Sequence, residues 1–288
     1  MRDAIFGVLC VGATACVCSC SSANAEAPTP AGEHIHALRD KLHAHGMDNY
    51  PLVVESPFFV VGNDTQAVLN RRVDTVRWAT KHFEAELFDR RPARLLDIYL
   101  FNDADSYNAG VKALTGAAPT TPYGFYSKRH DGLFMNIATG GGTLVHELVH
   151  PYVEADFPNA PPWLNEGLGS LFEQSDERDG KIVGLTNWRL SGLQRAIRKE
   201  AVPTFHALTH LDTDAFYDDD TGVHYAASRY LLYYLQEHGL LHRYYRAFKA
   251  AQRTDPSGYR TLQAILGETD MSAFEARWRD YVMGLRFH

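Results

Sequence analysis

The run TGGGTLVHELVH, residues 139–150, sets His146, Glu147 and His150 in the order His-Glu-x-x-His. Its apolar spacing predicts a helix. At about 100° per residue, His150 lies roughly 40° round the axis from His146, and Glu147 roughly 100° round from it. Leu144, Val145, Leu148 and Val149 fall on the opposite half of the wheel. One face is thus built for burial, and the other carries two imidazoles and a carboxylate. Two His one turn apart can place both nitrogens on a single zinc ion, and the Glu beside them can take a proton from water held there.

A second amphipathic run, PPWLNEGLGSLFE, covers residues 161–173. Leu164, Leu168, Leu171 and Phe172 share one face, and Glu166, Ser170 and Glu173 the other. Fifteen residues separate His150 from Glu166. A carboxylate on this second helix closes a His146, His150, Glu166 ligand set and leaves one position open for water.

These two stretches together resemble the gluzincin metallopeptidases, and within them the peptidase MA-like proteins with HExxH followed by WLxEGLA. The likeness covers about residues 120–285, with specific motifs at 146–150 and 162–168. It implies an α+β fold, a thermolysin-like zincin with an N-terminal mixed α/β sheet part and a mostly helical C-terminal part. It also implies one Zn2+ per chain, hydrolysis of a peptide or protein substrate, and a Tyr or His from a later helix to stabilise the oxyanion. The segment HYAASRYLLYYL, residues 224–235, looks like the matching one, with Tyr225 as the expected donor and His224 as the other candidate. The strand at 133–138 would, in that family, be the edge along which an extended substrate pairs.

Three departures from the family pattern stand out. Pro151 follows the second His ligand; lacking an N–H, it predicts a kink or stop at His150. Ser170 stands where some gluzincins carry an Asp that orients a ligand His, so Ser170 or Glu173 is left to support the ligands. Asn165 beside the third ligand fits the Asn-Glu pairing of several gluzincins.

The rest of the chain bounds the answer. With 288 residues, 45% of them hydrophobic, it can bury a substantial core. A net charge of −7 with no basic block argues against nucleic acid as a partner. Residues 1–25 read as a signal peptide or lipoprotein leader, with Arg2, an apolar run to Val17, and small residues. Either Ala23-Asn24-Ala25 is a cleavage site, giving a periplasmic or secreted protein, or Val17-Cys18-Ser19-Cys20 is a lipobox and a lipidated Cys20 the membrane attachment. All four Cys lie in this leader, so metal binding beyond it falls to His and carboxylate.

Residues 26–46 read as linker and short helix or tether, and 47–288 as the domain, with its sheet part at about 47–142 and its helical part at about 143–288. Strands are predicted at 52–63, 94–101, 124–128 and 132–138, with a helix capped by Asp64 or Thr65 running to about Asp89, and one opened by Asp103. KIVGLTNWRL reads as a hairpin arm or loop, followed by helices at 191–200, 224–238, 240–252 and 270–285. Gly140-Gly141-Gly142 reads as a tight turn into the metal helix, Asp218-Asp219-Asp220 as a solvated acidic loop, and Trp163 and Trp188 as core by default.

Three functions are compatible with this pattern. The first is a zinc metallopeptidase acting outside the cytoplasm; the absence of a Gly-x-Met-Glu-Asn motif tilts it to endopeptidase. The second is an exported binding or scaffold lipoprotein with a structural zinc, and the third zinc hydrolysis of a non-peptide bond. Glu147 favours catalysis, because a structural site has no use for it.

Overall fold

The computed structural model describes residues 30–219 and 221–287. The leader and both of its processing readings, at Cys20 and at Ala25, lie outside the described residues, as does Asp220. No helix among the described residues is long and apolar enough to cross a membrane.

The first half is a sheet with helices on both faces. It runs α1 (Pro30–Ala44), β1 (Leu52–Glu55), β2 (Phe58–Gly62), α2 (Gln66–His82), β3 (Leu96–Phe101), α3 (Ala104–Thr115), β4 (Gly124–Ser127) and β5 (Gly132–Asn136). The sheet order is β1-β2-β3-β5-β4, with β2, β3 and β5 parallel and the two outer strands antiparallel. Alternation along the strands sorts the core into two layers. Phe58, Val60, Ile98 and Leu133 face α2 and the metal-helix side, whereas Phe59, Val61, Tyr99 and Phe134 face α1 and α3. Strands buried on both faces read as continuous apolar runs, as these do.

Local chemistry sets the helix ends. Thr65 accepts from the Val68 N–H at the start of α2, and Asp103 accepts from the Ser106 N–H at the start of α3. The helix expected to reach Asp89 is α-helical to His82 and continues as one π-turn, Phe83–Leu87.

The single strand expected at 52–63 is a hairpin: Pro57 cannot donate to a ladder, and the chain folds back so that Leu52 pairs with Val61. Of the two readings of the segment before the domain, short helix or tether, the helix is present: α1 starts at Pro30 and buries Leu38 and Leu42 against the sheet. Strand β5, expected as the edge, is interior. The His130-Asp131 turn folds β4 back onto it, so β4 forms the edge instead.

The second half is mostly helical. It comprises α4 (Gly142–Asp156), α5 (Pro162–Phe172), the hairpin β6 (Ser175–Arg178) and β7 (Lys181–Gly184), then α6 (Arg189–Arg198), α7 (Phe205–Thr209), α8 (Thr213–Tyr217), α9 (Val223–Glu237), α10 (Leu241–Ala251), α11 (Tyr259–Leu266) and α12 (Met271–Gly284). Helix α4 does not stop at His150; it passes through Pro151 to Asp156. A proline inside a helix costs about 3 kcal/mol, and burying Val149, Tyr152 and Val153, each worth roughly 1.5–3 kcal/mol, offsets it. The short α7 and α8, capped by Thr204 and Asp212, went unforeseen because five residues carry no readable period. Asp219, read as part of a solvated loop, accepts from the N–H groups of Thr221 and His224 at the start of α9.

Candidate metal centre

Gly140, at φ +119°, occupies a conformation that L side chains rarely adopt, and it turns the chain from β5 into α4. Helix α4 then buries most of its girth, leaving Glu154 and Ala155 partly exposed. Leu144, Leu148 and Val149 enter the main core, while the His146–Glu147–His150 face is roofed by α5. The face expected to be polar is therefore buried: His146, Glu147, His150 and Glu166 are between 6 and 9% exposed. Helix α5 starts at a proline, whose missing N–H costs nothing there, and Trp163 pins it by donating to the Ser257 carbonyl.

This packing brings the four sequence-predicted residues together. His146 Nε2 lies 3.2 Å from Glu166 Oε2, and His150 Nε2 lies 3.9 Å from the same oxygen. His146, His150 and Glu166 each turn a ligand atom into the site, all within 4.8 Å of one another. Two donors on one tetrahedral zinc stand about 3.4 Å apart, so the set needs little adjustment to hold such an ion. Glu147 Oε2 sits 3.6 Å from His150 Nε2, beside the ligand set.

Neighbouring groups orient the ligands. Asn165 Oδ1 accepts from His150 Nδ1 at 3.0 Å, which leaves Nε2 to face the site. Tyr217, a residue with no signal in the sequence, donates its hydroxyl to Glu166 Oε1 at 2.6 Å. Gly169 lies under His146: a Cβ there would stand 2.9 Å from the ring Nε2. Among the described residues neither Ser170 nor Glu173 hydrogen-bonds an imidazole, although the charge of Glu173 adds to those raising His146. The Ser170 hydroxyl has no hydrogen-bond partner among the described residues, and Glu173 is engaged by Arg189 and Asn187.

Burial and charge oppose each other at the carboxylates. Burial alone would push Glu166 up, but His150, His146 and the Tyr217 hydroxyl outweigh it and draw the carboxyl down to about 2. Burial wins at Glu147, raising it against the pull of the two His. The backbone of Tyr126 on the edge strand β4 lies against this same carboxylate and favours its charged form. Burial would lower His146, yet Glu166 and Glu147 together raise it.

Tyr225, the expected donor, reaches the site. Burial and the charges of Glu166 and Glu147 push its hydroxyl up, so it keeps its proton and remains a donor. His224, the other candidate, has its Nδ1 3.1 Å from the Phe216 carbonyl. Trp163 is core, as expected, but Trp188 is half-exposed beside Arg189. The chain matches no model of a known protein family and no curated protein sequence.

Proposed function

We propose that the protein is a zinc-dependent metallopeptidase, on a thermolysin-like zincin frame, that hydrolyses peptide bonds outside the cytoplasm. The observation that carries this reading is one buried cluster in which three ligand groups converge and a fourth, Glu147, stands beside them with a raised carboxyl. His146, His150 and Glu166 would hold the ion. Zinc bound there would supply Lewis acidity, which lowers the pKa of water toward ~7 and polarises a carbonyl.

The chain's own groups do the rest. Glu147 accepts the proton of the attacking water and passes it to the leaving amine; a carboxyl raised by burial suits both halves of that transfer. Tyr225 keeps its proton and donates to the oxyanion as charge develops. An extended peptide adds to the outer edge of β4, where the backbone of Tyr126 brings the scissile bond beside Glu147.

Metal content by mass spectrometry of the full chain, beside Glu166→Gln and Glu147→Gln, with a casein assay on each, tests the reading. One zinc per chain, weakened by Glu166→Gln and kept by Glu147→Gln, with activity lost from both, is the expected result. Absence of zinc from the wild type overturns it. Zinc without turnover on any peptide would favour the exported binding protein instead.

A further inference from the structure

On one side of this site aromatic rings gather around a guanidinium. Tyr217, which holds Glu166, lies 6.2 Å from the Tyr225 ring. The Arg189 guanidinium stands 5.3 Å over Tyr225 and 4.2 Å over Trp188. An unbroken line therefore runs from a metal ligand through Tyr217 and Tyr225 to Arg189 and Trp188. Tyr217 and Trp188 are about half exposed, while Tyr225 between them packs against the core, so the line reaches solvent at Tyr217 and Trp188.

Arg189 is held rigidly there, yet it is only partly used. Its side chain is 16% exposed, and its Nε donates to Glu173 Oε2 at 3.3 Å. Among the described residues, no acceptor meets either Nη. A guanidinium is a flat fork of five donors that matches a carboxylate bidentately, and it binds one best when stacking has already fixed its plane. Glu173 takes one side of this fork. The Nη1–Nη2 edge is left for a second anion, which no group among the described residues supplies.

Resting on the peptidase reading above, we propose that Arg189 is a specificity residue that binds a substrate carboxylate near the scissile bond. The substrates are then peptides carrying either a free C-terminal carboxylate or an acidic side chain at that position. Both present the same group to the same fork.

Matched pairs of dye-labelled peptides test this on the zinc-loaded full chain. One set of pairs differs only by C-terminal acid against amide, the other only by an internal Glu against Gln. The wild type is expected to favour the carboxylate member of one set by about 10- to 100-fold in kcat/KM, the loss typical of a charged hydrogen bond. In Arg189→Gln that ratio falls toward one while zinc content is kept, and Arg189→Lys retains part of it. Preference in the acid/amide set assigns a terminal carboxylate, and preference in the Glu/Gln set a side chain. A wild type that cleaves both members equally, or an unchanged ratio in Arg189→Gln, overturns the proposal. Inhibition of the wild type by short acetylated peptide acids against their amides answers the same question without any variant. Failure of the peptidase reading looks different: no zinc, or no cleavage of any peptide in either set.

Discussion

Asn165 and His150 are bonded across the α4–α5 interface, with Asn165 Oδ1 3.0 Å from His150 Nδ1. The side chain next to one metal ligand thus sets the tautomer of another. Asn165→Leu removes that acceptor and frees the ring to rotate. Metal affinity is expected to fall about 10- to 100-fold, measured by competition with a chromophoric chelator. Asn165→Asp, which keeps an acceptor oxygen, retains most of it.

Gly169 is the floor beneath His146, and a Cβ added to it would come within 2.9 Å of the ring Nε2. In Gly169→Ala the helix should form at least as well, since Ala is the better helix former by about 1 kcal/mol. The imidazole, however, must move. The expected phenotype is a folded protein with weakened metal binding, read by circular dichroism beside zinc titration; unchanged affinity would show that the ring has room to spare.

The two tyrosines at the site separate by what they touch. Tyr217→Phe deletes the hydroxyl bonded to Glu166 at 2.6 Å, and metal affinity drops by about tenfold or more. Tyr225→Phe leaves zinc stoichiometry at one and lowers kcat by about 10²–10³. Steady-state kinetics with metal analysis on both variants decides it. The reverse pattern would make Tyr217 the oxyanion donor.

Zinc stabilisation should grow with pH. The metal-free protein holds a proton on His146 above its ordinary value of 6.5, because Glu166 and Glu147 outweigh burial. That charged pairing stabilises the metal-free fold fully below about 6.5 and is lost as pH rises through the higher folded value. Zinc must also displace the proton, so its affinity falls on acidification. Both effects have one sign: the Tm gain on adding zinc is expected to be larger near pH ~8 than near pH ~6.

Helix α1 belongs to the fold. Leu42 is wholly buried against the sheet, so Leu42→Ala should cost about 2–5 kcal/mol in urea unfolding. A loss near zero would return α1 to the status of a tether.

How far the sequence carries can be judged from particular residues. His146, Glu147, His150 and Glu166 were legible because each pattern is local: helical periodicity sets the two His one turn apart whatever surrounds them. Tyr225 was proposed only through its likeness to a family segment. Arg189 and Tyr217 were invisible. Tyr217 sits on a five-residue helix and meets Glu166 from 51 residues away, and nothing local marks such a pairing. The strand at 52–63 misled because Pro57, one residue in an apolar run, turned it into two strands.

The sequence by itself determined the α+β class and the donor set able to hold a metal, since both follow from short-range periodicity and side-chain chemistry. Tertiary structure alone decided that β4 and not β5 forms the edge, that α4 runs on through Pro151, and that Asn165, Tyr217 and Gly169 surround the ligands. Those outcomes depend on free energy gained by packing segments distant in the chain, which overrides local preference and leaves no mark in any single stretch.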